Sequence, residues 1–477
     1  MNASSVMQVR GVLLLHTVLL LSAVVVSTTP AAVAADKERP PNVIVFFSDD
    51  QGYDDVSFQG SDEIPTPHID ALAREGVICT DGYVTAHYCV PSRAGLLTGR
   101  HQAPFGFEIS GWNKNAGMPV EETTIADGLS ANGYATIAIG KWHLGQLPQF
   151  RPLARGFTDH YGFYGGGRSY LPLSESIGVP FIPKDPQAVE LYRNLDKVDD
   201  PPLVTTAFGE AAVEYIEEHK DDPFFIYLAF NAPHLPLQAP QRDLDRFPNL
   251  TGGRKTYAAM IAAMDDAIGQ VTEKLKREGL EEETLIFFLT DNGGHTTAVG
   301  ASNAPLRGQK STVYEGGIRV PFVVKWTGHL PAGTTYTKPV SSLDIAATSY
   351  ALANVEIDPK RPLDGVDLIP YLTGANTELP HPTLYWRIGP DYAMRDGDWK
   401  LTAQDGKAEV YHLSEDISES QNLAEQRPEL LAKLQAKYDE WSAQMMDPIY
   451  SGGLGGRKAK VGDRNSESGP QSTKPKL

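Results

Sequence analysis

Residues 43–50 are Val43-Ile44-Val45-Phe46-Phe47-Ser48-Asp49-Asp50, an unbroken apolar run that ends at a serine and two acids. A short, continuous apolar run is typical of a strand that is buried on both faces, as strands of parallel sheets are. The pattern occurs three more times, and each run again ends in polar residues. These runs are residues 135–139 before Gly140-Lys141-Trp142-His143, residues 224–230 before Asn231-Ala232-Pro233-His234, and residues 285–289 before Thr290-Asp291-Asn292.

Helices are predicted between these strands. One begins at Thr66-Pro67, because threonine is a good N-cap and proline suits the first turn, and it ends at Gly76. The others cover about residues 124–132, 205–219 and 254–277. Alternating strands and helices indicate an α/β fold, with a large domain that holds a mostly parallel or mixed central sheet between helices.

The pattern changes after about residue 359. Short strand-like runs follow at residues 383–386, 392–395, 399–402 and 409–413, with the turn Asp396-Gly397-Asp398 joining two of them and a helix over about residues 428–445. These runs predict a small C-terminal antiparallel sheet with one packed helix. We therefore expect a signal peptide at 1–34, a large domain at 41–358, a C-terminal subdomain at 359–447 and a disordered tail at 451–477.

The first 34 residues have the features of a secretory signal peptide. Arg10 precedes a mostly apolar run over residues 11–26, and Ala32-Val33-Ala34 supplies small residues for cleavage. The run is shorter than the roughly 20 residues that span a bilayer, which disfavours an uncleaved anchor. No cysteine lies near this site, so a lipoprotein anchor is excluded. We expect a secreted or periplasmic protein that has no membrane attachment after cleavage.

Composition excludes several classes of protein. The chain has 477 residues, and 60 acidic side chains against 42 lysines and arginines leave a formal net charge of -18, which argues against nucleic-acid binding. Two cysteines cannot build a disulfide-rich scaffold or a paired Cys-x-x-Cys zinc site. Hydrophobic residues make up 41% of the chain, enough for a sizeable core.

The polar residues after the four strands predict a ligand site. Open α/β sheets bind ligands beyond the carboxyl ends of their strands, and four strands would deliver acids, an amide, a lysine and histidines to that edge. The oxygen donors are Asp49, Asp50, Asp291 and Asn292. An all-oxygen set suits Ca²⁺ or Mg²⁺ and not zinc.

A second candidate is the segment Cys89-Val90-Pro91-Ser92-Arg93-Ala94-Gly95-Leu96-Leu97-Thr98-Gly99-Arg100. Cys89 precedes a helix that begins at a proline, and a helix N-terminus favours an anion. Arg93 lies one turn into that helix and can reach the same anion. The alternative is that Cys89 is a buried structural thiol, which is the usual environment of a free cysteine.

This segment resembles the signature of the sulfatase family of the alkaline phosphatase superfamily. Its Cys-x-Pro-Ser-Arg core, followed by Leu-Thr-Gly-Arg, matches the family pattern without departure. A second family pattern is similar to residues 133–143, and the resemblance runs from about Asn42 to Asn422. Further family-like stretches are Ser48-Asp49-Asp50-Gln51-Gly52-Tyr53, Asn231-Ala232-Pro233-His234, Thr290-Asp291-Asn292-Gly293-Gly294 and Arg307-Gly308-Gln309-Lys310.

The resemblance implies that residues 41–358 form a catalytic sulfatase domain with a modified nucleophile. Cys89 resembles the cysteine that a formylglycine-generating enzyme or an anaerobic sulfatase-maturing enzyme oxidises to formylglycine (3-oxoalanine). One hydroxyl of the hydrated aldehyde attacks sulfur to give a covalent sulfate ester, and the other expels sulfate. The protein is then expected to be a metal-dependent sulfuric ester hydrolase.

The resemblance also implies roles for the residues around the nucleophile. Positively charged groups would stabilise the anion, and histidines would transfer protons near neutral pH. His234 and Lys310 would lie near the leaving oxygen and His143 near the formylglycine diol. The implied catalytic residues are Cys89, Arg93, Lys141, His143, His234 and Lys310, and the implied Ca²⁺ or Mg²⁺ ligands are Asp49, Asp50, Cys89, Asp291 and Asn292.

The sulfated alcohol is expected to be a carbohydrate. Secretion, large loops and a net acidic surface favour an extracellular polysaccharide or oligosaccharide, such as a carrageenan-like galactan, another algal glycan or a glycosaminoglycan. Residues 162–170, rich in glycine and tyrosine, are expected to form a flexible loop beside it. Sugars bind to aromatic faces and planar polar groups, which makes substrate-binding candidates of Glu108, Trp112, Arg168, His295 and Arg387.

Two alternatives stay open. The chain could be a phosphoester or phosphonate hydrolase of the same superfamily, since the tetrahedral anions are similar. It could also be a non-catalytic glycan-binding protein, if Cys89 stays unmodified.

Overall fold

The computed structural model describes residues 39–109, 115–176, 179–180, 182 and 185–450. The expected signal peptide and C-terminal tail lie outside these residues. Within the described residues, the strands are β1 (Asn42–Ser48), β2 (Val77–Cys79), β3 (Gly82–Tyr83), β4 (Ala135–Lys141), β5 (Asp159–Phe163), β6 (Leu191–Arg193), β7 (Asp196–Val198), β8 (Phe224–Ala229), β9 (Thr284–Thr290), β10 (Phe322–Lys325), β11 (Thr334–Tyr336), β12 (Val340–Ser341), β13 (Thr383–Ile388), β14 (Asp391–Asp396), β15 (Trp399–Gln404) and β16 (Lys407–His412).

The α-helices of the same residues vary from one turn to several turns. They are α1 (Pro67–Glu75), α2 (Cys89–Thr98), α3 (Ile125–Ala131), α4 (Pro186–Val189), α5 (Val204–His219), α6 (Gln241–Leu244), α7 (Gly252–Glu278), α8 (Thr296–Val299), α9 (Glu315–Ile318), α10 (Asp344–Ala353), α11 (Ile369–Leu372) and α12 (Pro428–Ser442). Among the described residues, no helix combines the length and the apolar character that a membrane crossing requires.

The large sheet has ten strands in the order β11-β2-β10-β9-β1-β8-β4-β5-β6-β7. The four strands predicted from apolar runs, β1, β4, β8 and β9, are adjacent and parallel at its centre. Antiparallel pairs, such as β10 with β9 and β6 with β5, lie toward the edges. The predicted mixed sheet with a parallel centre is therefore confirmed.

Helices cover both faces of the large sheet, and β1 shows why. Val43, Val45 and Phe47 pack on one face with side chains of α2, α3 and α10, while Ile44 and Phe46 pack on the other face with α1, α5 and α7. Successive side chains of a strand point to opposite faces, so a strand buried on both faces has to be apolar throughout.

The small sheet consists of β13, β14, β15 and β16 in sequence order, all antiparallel. Met394, Leu401 and Val410 pack against Leu434 and Tyr438 of α12. The other face packs against residues of the larger part of the chain, including Tyr83 of β3, Val313 and Ile318 of α9. The C-terminal antiparallel sheet with one packed helix is thus confirmed.

The N-terminus of α1 differs from the sequence expectation. The Thr66 side chain does not cap the helix; its hydroxyl donates to Asp70 Oδ1 at 3.1 Å. Asp265 of α7 accepts instead from the backbone amides of His68 at 3.1 Å and Ile69 at 2.8 Å. A local pattern cannot show a cap that comes from almost 200 residues further along the chain.

Candidate active site

The four central strands of the large sheet place the polar residues that follow them at one edge. Asp49 follows β1, Asp291 follows β9, Lys141 ends β4 and His234 lies in the loop after β8. Because these strands are neighbours and parallel, their carboxyl ends meet, and the site lies where an open α/β sheet binds ligands.

Three buried carboxylates lie in the centre of this site, and each forms a close ion pair with a different basic side chain. Asp49, Asp50 and Asp291 have almost no exposed surface. Their basic partners arrive from three different parts of the chain, so local sequence does not set the pairing. The ion pairs are Lys141 Nζ to Asp49 Oδ2 at 2.6 Å, Lys310 Nζ to Asp50 Oδ1 at 2.6 Å, and Arg93 Nη2 to Asp291 Oδ2 at 2.7 Å.

The carboxylates have unequal proton affinities. Burial, reinforced by the Asp291 carboxylate, raises the pKa of Asp49 to about 7 against the opposing effect of Lys141. Burial also acts on Asp50, but lysine charges, above all that of Lys310, outweigh it and hold the pKa of that carboxyl well below its usual range. Charge neighbours therefore decide which carboxylate ionises most readily.

Cys89 is the first residue of α2, and its sulfur lies among these charges. The sulfur is 3.5 Å from Asp49 Oδ1 and 3.4 Å from Lys310 Nζ. Burial and the charge of Asp291 raise the pKa of the thiol, so an unmodified Cys89 would stay protonated near neutral pH. One turn further along, Arg93 is completely buried and also donates to the Lys141 carbonyl at 3.3 Å.

The two predicted histidines lie at the same edge and are electrically neutral at physiological pH. Burial lowers the pKa of His234 to about 3, and burial together with Lys141 holds the pKa of His143 well below its usual range. His234 Nδ1 lies 2.6 Å from the Leu235 carbonyl, which assigns the proton to Nδ1 and leaves Nε2 as an acceptor, 3.6 Å from Asp50 Oδ2. His234 can therefore accept a proton at Nε2.

Several side chains of the site could together hold a metal ion. Donor atoms of Asp49, Asp50, Cys89 and His234 all lie within 4.8 Å of one another. Asn292 donates its side-chain amide to Asp50 Oδ1 at 2.7 Å, while its buried Oδ1 has no hydrogen-bond partner among the described residues. A buried acceptor without a donor is costly, and a cation bound beside the carboxylates would satisfy it.

Backbone conformation also marks the site. Asp50 and His143 adopt left-handed φ values of 62° and 60°, which are uncommon for residues other than glycine. Each directs a side chain that the sequence had singled out. Surrounding contacts have to hold such a conformation, and at Asp50 these include the ion pair with Lys310.

The structure gives other environments to most of the predicted substrate-binding residues. Arg168 is fully buried, with Nη2 2.8 Å from Asp200 Oδ1, and Glu108 is buried and bound by Arg387 at 2.8 Å. These contacts favour structural roles, and substrate contact by all three stays a prediction. His295 is partly buried, and burial lowers its pKa against the opposing effect of the Asp50 charge. Trp112 lies outside the described residues.

Residues 162–170 are less open than the sequence suggested. Phe163, Tyr164 and Tyr170 are buried, so their rings are part of the core and offer no face to a sugar. Tyr170 donates to the His234 carbonyl at 2.7 Å and thereby supports the histidine loop. Sequence reasoning missed this tyrosine, although an aromatic residue with a polar end next to a functional loop was a usable signal.

Known proteins share both the sequence and the fold. Residues 41–355 match the Sulfatase family, and residues 308–444 match the family described as N-sulphoglucosamine sulphohydrolase, C-terminal. N-acetylgalactosamine-6-sulfatase of Sus scrofa is 32% identical over 382 residues, which cover 74% of this chain and 69% of the relative. Arylsulfatase A of Homo sapiens is 34% identical over 385 residues, which cover 74% of this chain and 73% of the relative.

The crystal structure of Ps i-CgsB in complex with k-i-k-neocarrahexaose superposes with a TM-score of 0.81 and 36% sequence identity, and the match covers 86% of this chain and 95% of that chain. The family match alone spans more than half of the 477 residues. This chain therefore belongs to the sulfatase family of the alkaline phosphatase superfamily and is a sulfuric ester hydrolase.

Proposed function

We propose that this sulfatase is secreted and hydrolyses sulfate monoesters of a sulfated carbohydrate, using a formylglycine made from Cys89. The observation that carries the proposal is the position of Cys89 at the start of α2, with its sulfur near both a carboxylate and an ammonium group. Because burial keeps the thiol protonated, an unmodified Cys89 would be a poor nucleophile. Formylglycine would supply a hydrated aldehyde, a nucleophile that a plain thiol or hydroxyl does not fully replace.

The proposed cation is Ca²⁺, with Mg²⁺ as the alternative. Asp49, Asp50, Asp291 and Asn292 would hold it, together with the group made from Cys89. The unpaired Asn292 Oδ1 supports this assignment, and three carboxylates provide the negative charge that a divalent ion requires. When bound, the ion would neutralise charge on the sulfate oxygens.

The basic residues would act on the anion directly. Lys141, Lys310 and Arg93 each lie within 2.7 Å of a carboxylate at the site, and their N–H groups can also donate to sulfate oxygens. His234 Nε2 has an available lone pair, and the negative charge of a bound sulfate ester would favour its protonated form. We assign His234 and Lys310 to the leaving oxygen and His143 to the side of the nucleophile.

The proposed substrates are carrageenan-like galactans, other algal glycans and glycosaminoglycans. The similar protein Ps i-CgsB was crystallised with k-i-k-neocarrahexaose, and the similar pig protein is an N-acetylgalactosamine-6-sulfatase. Both names support a sulfated carbohydrate. They favour different sugars, so the sugar has to be found by experiment.

The test of the nucleophile uses the two cysteines of the chain. After coexpression with a formylglycine-generating enzyme or an anaerobic sulfatase-maturing enzyme, mass spectrometry should show that the peptide containing Cys89 has lost its thiol and gained an aldehyde. Cys89→Ala should abolish sulfate release, while Cys79→Ala should keep it, because Cys79 is a separate buried thiol in β2. Retained sulfate release by Cys89→Ala would refute the nucleophile, and a persistent thiol without turnover would support a glycan-binding protein.

The test of the substrate compares paired compounds. Sulfate release from a panel of defined sulfated oligosaccharides should identify the sugar. Rates on 4-nitrophenyl sulfate and 4-nitrophenyl phosphate should favour the sulfate ester, because the buried acids Asp49, Asp50 and Asp291 would repel a phosphate dianion more strongly than a sulfate monoanion. A strong preference for phosphate would favour the phosphoester hydrolase alternative.

We also infer that residues 1–34 are a cleaved signal peptide and that the protein is secreted or periplasmic. The n-region charge, the apolar run and the small residues at 32–34 support this inference. N-terminal sequencing of the exported protein should begin at Ala35. Protein that retains Met1 in the cell extract would contradict it.

A further inference from the structure

The segment that carries Lys310 lies between β9 and β10, but much of its support comes from the small C-terminal sheet. Its contacts with the larger part of the chain include hydrogen bonds from Lys310 N to the Gly294 carbonyl at 3.2 Å and from Ser311 N to the His87 carbonyl at 3.1 Å, and others through Gly308 and Gln309. Ser311 has a left-handed φ of 76°, so the chain turns sharply just after the lysine. A strained turn needs further contacts to hold one conformation.

Arg307, three residues before Lys310, is bound to the last strand of the small sheet. Its Nη1 donates to the Tyr411 hydroxyl at 2.6 Å and to the Glu419 carbonyl at 3.1 Å, and its Nη2 donates to the Tyr314 hydroxyl at 3.0 Å. Arg307 and Tyr314 lie on either side of Lys310, in what we call the Lys310 turn (residues 307–314). The planar guanidinium, with its fixed set of donors, thus connects both ends of this turn to β16 and the residues after it.

The residues after Lys310 are bound to the same sheet. Val313 N donates to Gln404 Oε1 of β15 at 2.9 Å, and Glu315 N donates to Glu419 Oε2 at 2.7 Å. Lys400 of β15 lies between two acids, 2.7 Å from Glu315 Oε1 and 2.8 Å from Glu419 Oε1. All three side chains are buried, so water does not compete for these contacts.

Buried ion pairs of this kind add little to the free energy of unfolding. Burying the charges costs nearly as much free energy as their attraction returns, and apolar side chains of similar volume often stabilise as well. Hydrogen-bonded charges do restrict geometry, because only one arrangement satisfies all partners. The arrangement here restricts residues on both sides of a lysine whose Nζ lies 2.6 Å from Asp50 and 3.4 Å from Cys89.

We propose that the C-terminal sheet positions Lys310 in the active site, with Arg307 as the main positioning residue. Arg307 does not touch the cluster of carboxylates and would act only through Lys310. The inference rests on the proposed function, because it assumes that Lys310 acts on the bound sulfate ester. It gives the small sheet a part in the chemistry.

The experiment is a double-mutant cycle on the full-length, matured enzyme with 4-nitrophenyl sulfate as substrate. Arg307→Ala should lower kcat by about 10- to 100-fold, since a displacement of about 1 Å is enough for such a loss. Lys310→Ala should lower kcat at least as much. The double variant should be no slower than Lys310→Ala alone, because Arg307 has no effect once its target is absent.

Lys437→Ala is the matched control. Lys437 is 40% exposed, close to the 39% of Arg307, and it too binds the small sheet, 2.7 Å from Asp396 Oδ1 and 2.7 Å from the Thr383 hydroxyl. It should keep the wild-type kcat. Gln404→Ala, which removes one bond to the Lys310 turn, provides a milder second variant and should lower kcat without loss of folded protein.

The possible outcomes separate the two proposals. Losses that multiply in the double variant, or an unchanged kcat in both Arg307→Ala and Gln404→Ala, would overturn the positioning of Lys310 and leave the proposed function intact. An unchanged kcat in Lys310→Ala would show that Lys310 has no part in the reaction, and the positioning proposal would fail with it.

Discussion

Asn292 shows how a single atom can indicate a missing partner. Its amide nitrogen is bonded to Asp50 and to the Gly293 carbonyl, at 2.7 and 3.0 Å, while its side-chain oxygen is buried and has no donor among the described residues. Sequence alone identified the residue as a ligand only through resemblance and donor type. The orientation of its amide adds a physical reason that is independent of the family.

Asn292→Ala should weaken cation binding. Removing one of four or five oxygen ligands should reduce the rise in Tm that Ca²⁺ produces, because binding to the folded state alone is what stabilises it. Differential scanning fluorimetry across a Ca²⁺ titration, after exhaustive chelation, measures the midpoint, which is the Ca²⁺ concentration that gives half of the total rise in Tm. An identical midpoint in the variant and the wild type would contradict the assignment of Asn292.

Gly166 and Gly167 form a matched pair at the wall of the site. A methyl group on Gly166 would lie 2.4 Å from His143 Nε2, whereas one on Gly167 would lie 3.6 Å from the nearest atom of His234. Only the first of these distances is an overlap. The imidazole of His143 is the end of a flexible side chain, so it can move aside at little cost in stability.

Gly166→Ala should therefore lower kcat by about 10- to 100-fold with little change in Tm, because it displaces His143. Gly167→Ala should stay close to wild type in both measurements. Steady-state kinetics and thermal melts of the two variants test this difference. Equal activity of the two variants would show that the position of His143 does not depend on Gly166.

At the scale of elements, the cap of α1 connects two helices that are far apart in sequence. The carboxylate of Asp265 in α7 takes the place of a local N-cap by accepting from the amides of His68 and Ile69. Asp265 is completely buried, while its neighbour Asp266 is exposed and binds Arg246. Adjacent residues of one helix thus have very different roles.

Asp265→Ala should destabilise the protein by about 1–2 kcal/mol, because it leaves two helix amides without acceptors. Asp266→Ala should cost no more than about 1 kcal/mol, since it breaks only an exposed ion pair. Urea denaturation of both variants gives the free energies of unfolding. A larger loss for Asp266→Ala would contradict the cap.

At the scale of the whole molecule, Lys400 and its two acids join the small sheet to the larger part of the chain. Burial, only partly opposed by Lys400, raises the pKa of Glu419 from 4.5 to about 7, whereas Lys400 and two arginines overcome burial and lower the pKa of Glu315 to about 2. One lysine cannot neutralise both acids, so Glu419 keeps its proton over most of the acidic range.

This difference in proton affinity predicts a pH dependence of stability. Between pH 4.5 and about 7 the unfolded chain has ionised Glu419 while the folded protein keeps it protonated, so the folded state binds more protons and loses stability as pH rises. Glutamine does not ionise and escapes this loss. Relative to wild type, Glu419→Gln should gain on the order of 1–3 kcal/mol between pH 5 and pH 8.

Chemical denaturation of the wild type and Glu419→Gln at several pH values measures the effect. The difference between their free energies of unfolding should change mainly between pH 5 and 7. A difference that stays constant with pH would show that Glu419 is ionised in the folded protein throughout.

The central strands were predictable because each is a short apolar run, and burial on both faces requires such a run. Edge strands were not predictable in the same way. β3 and β12 are two residues long, and β6 and β7 are three residues long with exposed polar side chains, so no periodic pattern marks them. Their positions depend on neighbours that pair with them.

The sequence by itself determined the family, the central strands and helices, the small sheet and the chemical types of the residues at the candidate site. Tertiary structure alone decided that β9, β1, β8 and β4 are neighbours, and hence which acid meets which base. It also showed that Arg168 and Glu108 are bound to other protein groups and that Asp265 caps a distant helix. The physical reason is range: apolar periodicity and turn residues act over a few positions, whereas ion pairing and burial depend on distances that exist only after the chain has folded.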